Sequence, residues 1–431
     1  MKIKKENTGQ CIFWGFAFLA IPLTLLSPLD DTFNRNIKPI TVLLSQISGM
    51  LGFSLFAMAF LLSSRIKWME KYFGGLDKMY HTHHTMAKFA FLFMMVHPVL
   101  LAFRWRPDGI GHLIKFMLPF HSKMAVDLGS ISILGIAILL SFTFIIKLPY
   151  DKWKITHKLI GIFFVFSALH IFLLKDNLGD FIPLMIYVWI LTILGISGYV
   201  YKTLIFDLIV KKYRYKVTNV NRLNEKVMEI TMKATEDEAP FIPGQYYFFS
   251  FIDDRFTKES HPFTLCNVQE EKEVKIIVKS LGDYTNKLYE KIQKGVEAKL
   301  EGPYGTFYYR TGKKEQIWIG GGVGMAPFIS WARELKEKPY PGLKADMYYC
   351  VNKRTDAVHL PAFEELESDD FHVHLICADE TGFLTAKKIE NLDNRDIYIC
   401  GPKGMRRSLL KGFDKLKISR ERIQYEDFDF I

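Results

Sequence analysis

Hydrophobic and polar positions follow two different rhythms along this chain, and the change falls just after Asp207. Before it, apolar runs occupy residues 11–27, 40–63, 81–103, 128–148, 153–174 and 181–201. A helix rising about 1.5 Å per residue crosses a bilayer in about 20 residues, so the six runs predict a six-helix transmembrane bundle. After Asp207 the runs are short and β-rich, among them KVMEITMKA, QYYFFSFI and EVKIIVKSL, with turn residues such as PG and GD between them. That pattern predicts a small antiparallel β-barrel up to about Tyr309. From Glu315 the order becomes strand, glycine loop and helix, then strand and helix again, which predicts a parallel α/β layer. The expected fold is multidomain, with the bundle at residues 1–210, the barrel at 211–312 and the α/β domain at 313–431.

A length of 431 residues fits two to three domains, and the charge is as unevenly shared as the hydropathy. Residues 1–210 hold 20 Lys plus Arg against 11 Asp plus Glu, whereas the rest hold 36 against 35. Nearly all of the net +10 therefore lies on the membrane half, where loop charge sets topology, and it is not a nucleic-acid footprint. With the N-terminus inside, twelve basic residues flank the cytoplasmic ends of the spans and seven lie in the outer loops. This predicts a multi-pass protein of the cell membrane, surrounded by lipid bilayer, with both termini cytoplasmic. The first run, behind Lys2, Lys4 and Lys5, reads as a retained anchor because no small-residue cleavage site follows it. Residues 65–80 set Trp68, Met69, Tyr72, Phe73 and Leu76 among lysines and predict an amphipathic stretch on the inner surface.

Histidine is the residue that does not belong in the spans. His83 and His97 lie 14 residues apart in the third run, and His157 and His170 lie 13 apart in the fifth. An imidazole in hydrocarbon needs a partner, and such residues are rare and usually functional. The spacings separate each pair by roughly 20 Å along its helix, one histidine near each leaflet. If the helices face each other, His83 meets His157 and His97 meets His170, and each level holds one iron between two axial imidazoles. The expectation is two stacked b-type haems, with His84 the alternative to His83. A spacing of 13 misses the same helix face by more than a third of a turn at roughly 100° per residue, so the fifth span needs a kink or π-bulge. Lone membrane histidines bonded to neighbouring helices are the bland alternative; four at matched depths favour haem. His112 and His121 in the outer loop read first as ordinary loop residues and second as a cationic rim, and Lys88 within the third span either snorkels or joins such a rim.

In the soluble half, Gly320, Gly321, Gly322 and Gly324 follow an apolar strand and lead into a helix near Met325. Glycines admit backbone close to a pyrophosphate, and the helix start supplies free N–H groups and positive potential. Cys400-Gly401-Pro402 ends a second strand and forms the opposite lip of a crevice. His261-Pro262-Phe263-Thr264 is a proline-stiffened strand bearing a hydroxyl, and Gly282-Asp283-Tyr284-Thr285 opens a helix that Thr285 is placed to cap. Each is an ordinary strand or cap when taken singly. Five scattered cysteines, Cys11, Cys266, Cys350, Cys377 and Cys400, show no zinc or iron–sulfur spacing.

The order GQYYF, HPFT, GDYT, GPYG, GGGVGMAPF, CGP and a terminal aromatic resembles the ferredoxin-NADP reductase fold. Joined to six spans with two histidine pairs, it resembles the NADPH oxidase and ferric reductase superfamily, most nearly a prokaryotic NADPH oxidase. The resemblance covers about residues 10–431. It implies that His261, Pro262, Phe263 and Thr264 hold FAD, with Thr264 near the isoalloxazine and His261 where soluble reductases usually keep an arginine. It implies FAD phosphate contacts at Gly282 and Thr285. NAD(P)H is expected across Gly320, Gly321, Gly322, Gly324 and Pro327 and across Cys400, Gly401 and Pro402. Thr264, Cys400 and Phe430 are the expected catalytic group, with Phe430 or Phe428 covering the flavin; the extra Ile431 leaves that choice open. Read from the residues themselves, Lys353 and Arg354, beyond the strand ending near Val351, are either a site for the 2′-phosphate of NADPH or equally a solvated turn; NADPH is the expected donor, with NADH tolerated.

Electron counting then sets the expected activity. NAD(P)H gives two electrons as hydride and a haem takes one, so the flavin divides the pair before inner and outer haem act in series. Iron with histidine on both sides offers no open position, and one electron given to dioxygen outside makes superoxide. The rival with the same path ends on a ferric chelate. A second rival is a haem membrane subunit that donates to a partner reductase, which the chain's own reductase module argues against. A channel with a flavin sensor is a third, opposed by the four histidines. No obligatory protein partner is expected.

Overall fold

A computed structural model describes residues 5–27, 39–102, 110–121, 123–146, 148–174, 181–257, 259–269 and 272–427. The chain forms two compact units, residues 1–73 with 78–209, and residues 210–431 with 74–77.

The first unit contains six helical spans: Thr8–Leu26, Ile40–Ser63, Leu76–Ala102, Met124–Phe144, Lys152–Leu173 and Ile182–Ile209. The first is α1 (Lys5–Phe18) and α2 (Ala20–Leu26), and the second is α3 (Pro39–Ser63). A short α4 (Lys67–Phe73) precedes α5 (Leu76–Ala102), and α6 (Ile110–Met117) precedes α7 (Met124–Phe144). The fifth span is divided into α8 (Tyr150–Lys158) and α9 (Ile160–Leu173). The sixth is α10 (Ile182–Val200), a π turn at Tyr201–Ile205, and α11 (Phe206–Ile209). All six expected spans are present. The fifth is interrupted at Leu159, which itself keeps helical angles (φ −65, ψ −16); the odd histidine spacing calls for a kink or π-bulge in this span.

Helix α3 is apolar on every side and is correspondingly the most enclosed: Leu51, Phe53, Leu55, Phe56, Ala57 and Met58 are all buried. Phe53 stacks on Phe164 of α9 with ring centres 5.2 Å apart. The expected amphipathic surface stretch is different in the structure. The third span already begins at Leu76, and α4 turns its apolar side inward, with Met69 and Phe73 buried and Phe73 edge-on to Phe13 of α1. The inward side of α4 is thus covered by α1, and Trp68 alone of that apolar set stands well exposed.

In the second unit six strands form one antiparallel sheet: β1 (Lys212–Arg222), β2 (Val227–Ala234), β3 (Tyr246–Ile252), β4 (His261–Thr264), β5 (Glu273–Lys279) and β6 (Glu297–Tyr304). Their order is β4-β3-β6-β1-β2-β5. The two end strands are drawn together by a bridge between Leu265 and Ile276 and by the Cys266 N–H donating to Lys275 O at 2.9 Å. The sheet is thus a nearly closed barrel around Val217, Ile230, Phe249, Val278 and Leu300. Helix α12 (Asp283–Lys291) connects β5 to β6.

The rest alternates strand and helix: β7 (Glu315–Gly321), α13 (Ala326–Glu337), β8 (Lys344–Val351), α14 (Leu360–Glu364), β9 (Phe371–Cys377), α15 (Ala378–Thr381), β10 (Asp396–Cys400), α16 (Lys403–Lys415) and β11 (Ile423–Glu426). All five strands are parallel, in the order β11-β10-β7-β8-β9. The chain steps outward from β7 to β9, then returns to lay β10 on the other side of β7. The loops after β7 and β10 therefore diverge at a switch point, where such sheets leave a crevice beyond their carboxyl ends.

Asp346 on β8 ties this layer together. Its carboxylate accepts from His374 Nε2 of β9 at 2.9 Å and pairs with the Arg395 guanidinium just before β10. Burial alone would raise the Asp346 pKa, but the hydrogen bonds from His374 and Arg395 hold it below the usual carboxylate range. A depressed carboxyl contributes stability above its unfolded pKa of about 3.9 and loses it as pH falls towards the folded value. Arg395→Met is expected to destabilise the solubilised protein by about 3 kcal/mol near neutral pH. Denaturant unfolding should show the deficit shrinking below about pH 4, as the carboxyl protonates.

Candidate functional site

The membrane unit brings the four histidines together in the two pairs the spacing predicts. His83 and His97 ride on the unbroken α5, while His157 and His170 sit on either side of the break, on α8 and α9. The His83 and His157 ring centres are 6.4 Å apart, and those of His97 and His170 are 6.3 Å apart. His84 lies beside His83, at 5.6 Å between centres, so His83 is the ring that stands opposite His157.

Three of the rings are fixed by backbone. His83 Nδ1 lies 2.8 Å from Ala59 O, His97 Nδ1 2.8 Å from Ser45 O, and His170 Nδ1 2.6 Å from Ala125 O. A carbonyl can only accept, so each Nδ1 carries the proton and each Nε2 lone pair is left to ligate. Two glycines make room for this. A Cβ on Gly49 would come within 2.8 Å of His97 Nδ1, and one on Gly129 within 2.7 Å of His170 Nδ1. Beside the second pair lies a cavity of about 660 Å³, walled by His97, His170, Gly49, Gly129, Met94 and Ile133, with His121 and Lys123 also on its lining. His121 is held by Asp127 at 2.9 Å. Lys88 is exposed on α5; the side chain of His112 lies outside the described residues. Ser45, Gly49, Ala125 and Gly129 were not singled out from the sequence. Glycine inside an apolar helix signals a close approach, but not what approaches.

In the second unit the HPFT and GDYT motifs touch. The His261 ring stacks on Tyr284 with centres 3.7 Å apart, and its Nε2 lies 3.4 Å from Glu259 Oε2. Burial lowers the His261 pKa, against the raising effect of Glu259. Thr264 is buried, its backbone paired with Tyr246, and Phe263 packs edge-on against Phe249. Pro262 lies opposite Phe248. Thr285 is not the cap itself. Gly282 takes that place, and the Thr285 hydroxyl accepts from the N–H groups of Leu281 at 3.0 Å and Gly282 at 3.1 Å. A Cβ on Gly282 would meet nothing within 4 Å, so the space over this helix start is open to a ligand.

At the switch point the two predicted lips are in backbone contact. Cys400 pairs with Gly320, and a Cβ on Gly324 would sit 2.5 Å from Gly401 N. Gly322 adopts φ +59 with nothing around its missing Cβ, which leaves the loop both left-handed and open. Pro327 stands in the first turn of α13. The Cys400 side chain is fully buried, and burial raises its thiol well above the ordinary value. The helix leaving this loop is bolted to the flavin-type strands. Trp331 Nε1 donates to Pro243 O at 3.1 Å, next to Gly244, and Arg333 Nη1 to Cys266 O at 2.7 Å, two residues beyond Thr264. Neither residue was legible as more than part of an amphipathic helix. Arg354 is engaged, forming a two-point pair with Glu380 at 3.1 and 3.0 Å. Phe428, Phe430 and Ile431 lie outside the described residues.

Comparison with known families agrees with this layout. The family described as ferric reductase like transmembrane component matches residues 48–168, an FAD-binding domain matches 212–310, and an oxidoreductase NAD-binding domain matches 318–411. The chain has the architecture of the NADPH oxidase and ferric reductase superfamily. It is accordingly an oxidoreductase with FAD-binding and nicotinamide-binding domains and a multi-pass membrane domain.

Among curated proteins, the reductase component of propane 2-monooxygenase from Mycolicibacterium goodii is 27% identical over 241 residues, 51% of this chain and 68% of that protein. One component of the Na(+)-translocating NADH-quinone reductase of Yersinia pestis is 26% identical over 155 residues, 32% of this chain and 38% of that component. Among solved structures, the ferredoxin reductase in carbazole 1,9a-dioxygenase is 21% identical with a TM-score of 0.44, covering 51% of this chain and 70% of that one. Flavohemoglobin from Malassezia yamatoensis is 16% identical with a TM-score of 0.48, covering 78% and 94%.

The contact between the two lips makes Gly324 a sensitive position. Gly324→Ala must push the loop after β10 away, at a cost of about 1–3 kcal/mol. The substitution is expected to weaken NAD(P)H binding and lower the unfolding temperature. Gly404→Ala, where a Cβ meets nothing within 4 Å, should do neither.

Proposed function

We propose that this protein moves electrons from cytosolic NAD(P)H through FAD and two bis-histidine b-type haems to dioxygen on the outer face, where superoxide is released. The observation that carries the reading is the pair of ring separations, 6.4 and 6.3 Å. Metal–nitrogen bonds of about 2 Å on both sides of an iron, plus about 1.1 Å from each nitrogen to its ring centre, put two axial rings about 6.2 Å apart. Histidines packed only against each other have no reason to hold that distance twice. The carbonyl partners that leave Nε2 free on His83, His97 and His170 support the same reading.

When bound, FAD accepts hydride as an electron pair and releases electrons singly, and haem iron carries them one at a time. The chain's part is to hold these groups in order. Gly320, Gly321, Gly322, Gly324 and Pro327, with Cys400, Gly401 and Pro402, receive NAD(P)H at the switch point, where the start of α13 offers N–H groups to the pyrophosphate. His261, Pro262, Phe263 and Thr264 line the flavin, and the open helix start at Gly282, with its turn closed by Thr285, receives its phosphates. His83 with His157 and His97 with His170 would hold the two haem irons, and a histidine on each side of the second would leave a small acceptor to take its electron without binding the metal. The twelve-to-seven excess of basic residues supports a cytoplasmic side for both termini.

Two experiments test this reading. His157→Ala and His170→Ala are each expected to lower haem from two per chain to one, measured directly on purified protein; two haems retained in both would remove the assignment. In wild-type protein, NAD(P)H-dependent cytochrome c reduction should be largely suppressed by superoxide dismutase. Oxygen-independent reduction of a ferric chelate as the only efficient activity would replace dioxygen as the acceptor.

Nicotinamide choice rests on Arg354, and its pair with Glu380 refines the expectation. A 2′-phosphate has to compete with that carboxylate, which favours NADH relative to a free arginine. Glu380→Gln should lower KM for NADPH by roughly 2–5-fold, the worth of an exposed ion pair, and leave KM for NADH unchanged. Equal effects on both cofactors would take Arg354 out of phosphate recognition.

A further inference from the structure

The four membrane histidines are not held alike. His83, His97 and His170 each have Nδ1 against a backbone carbonyl, whereas His157 Nδ1 is buried and has no hydrogen-bond partner among the described residues. The difference follows from helix register. Ser45 and Ala59 are 14 residues apart on α3, and so are their partners His97 and His83 on α5. Fourteen residues are almost four whole turns, so one antiparallel helix serves both rings. Helix α7 serves His170 from Ala125, but the break at Leu159 lies between His157 and His170. The same count along α7 leads to Ile138 and Leu139, and the Ile138 carbonyl accepts from Ser141 Oγ at 2.7 Å instead.

Another contact takes its place. Trp153, one turn earlier on α8, stacks on the His157 ring with centres 4.9 Å apart and planes 27° from parallel. The indole is pinned at its far end, since its Nε1 donates to Thr143 Oγ1 of α7 at 3.0 Å. We propose that Trp153 is the positioning residue of the His83–His157 site, fixing His157 by ring stacking where the other three histidines are fixed by carbonyls.

The proposal rests on the haem reading given above, and it gives the two sites different characters. An imidazole whose Nδ1–H is bonded to an acceptor is a stronger donor through Nε2 and is fixed in rotation. His157 lacks the first property and owes the second to Trp153. The His83–His157 site is therefore the one with a weaker axial donor, hence the higher reduction potential and the readier loss of its haem. Stacking fixes ring tilt but supplies no added basicity, so the two effects separate on mutation.

The experiment uses the full-length purified protein, with haem content, a potentiometric titration of the two b-type signals and low-temperature EPR as readouts. His157→Ala first identifies which signal belongs to this site. Trp153→Leu is expected to weaken retention of that haem alone roughly tenfold, the usual effect of losing an orienting partner, and to change its EPR line shape. Trp153→Phe keeps a ring over His157 and should restore both readouts. Thr143→Val should shift the same signal in the same direction by less. Unchanged signals in Trp153→Leu, or equal disturbance of both sites with a lowered unfolding temperature, would overturn the positioning role while leaving the haem reading intact. Wild-type protein without haem would overturn both.

Discussion

An imidazole surrounded by hydrocarbon must satisfy its N–H, and much of the membrane unit is arranged around that requirement. In a medium without water the only abundant acceptors are backbone carbonyls, and those in a helix are already engaged unless a donor comes close enough to share one. His83, His97 and His170 meet the condition by lying hard against a neighbouring helix. That closeness explains the glycines: Gly49 and Gly129 stand where any side chain would strike the ring. It also explains why α3 is the central helix, because its carbonyls at Ala59 and Ser45 serve both histidines of α5.

The second unit solves a different problem, bringing two nucleotides to one place with nothing more than strand order. Reversal of direction after β9 separates the loops that follow β7 and β10, and glycines at 321, 324 and 401 let those loops touch through backbone. The crevice is therefore narrow at its base and open above, as a dinucleotide requires. Trp331 and Arg333 then carry the position of α13 across to the residues next to the GQYYF and HPFT motifs. A helix whose start faces one nucleotide is thus anchored on the strands that carry the other motif set.

Much of this was legible in the sequence because it depends on local periods. Six apolar runs gave six spans, and the histidine spacings gave the two pairs and even the need for a broken fifth helix. The place of the interruption, Leu159, was not singled out, although Gly161 two residues later is a poor helix former and marks where a helix can bend. The boundary of the stretch at residues 65–80, where the third span already starts at Leu76, was hidden for a related reason. An amphipathic pattern says that one side is covered, not whether lipid or another helix such as α1 covers it. Arg354 looked free because Glu380 is 26 residues away, and only the parallel pairing of β8 with β9 brings their trailing loops together. Thr285 reads as a cap by residue type, yet the actual cap is the preceding glycine, a one-turn shift that motif order alone does not resolve.

The cavity beside His97 and His170 adds a last constraint on what the bundle holds. Its wall is overwhelmingly apolar, with Met94, Ile133 and Leu134 on it, yet Lys123 and His121 also reach its lining. A void meant only to be filled by packing would be apolar throughout, and a water-filled channel would be polar throughout. An apolar slot with two imidazoles on its wall and a cation on its lining would suit the proposed haem, a flat hydrophobic macrocycle bearing acidic groups at one edge. His121 is held by Asp127, which leaves Lys123 as the cation best placed to meet such an acid. On the proposed haem reading, the loop before α7 would belong to the cofactor's environment as much as the helices do, which is the cationic rim its sequence offers as one alternative to an ordinary loop.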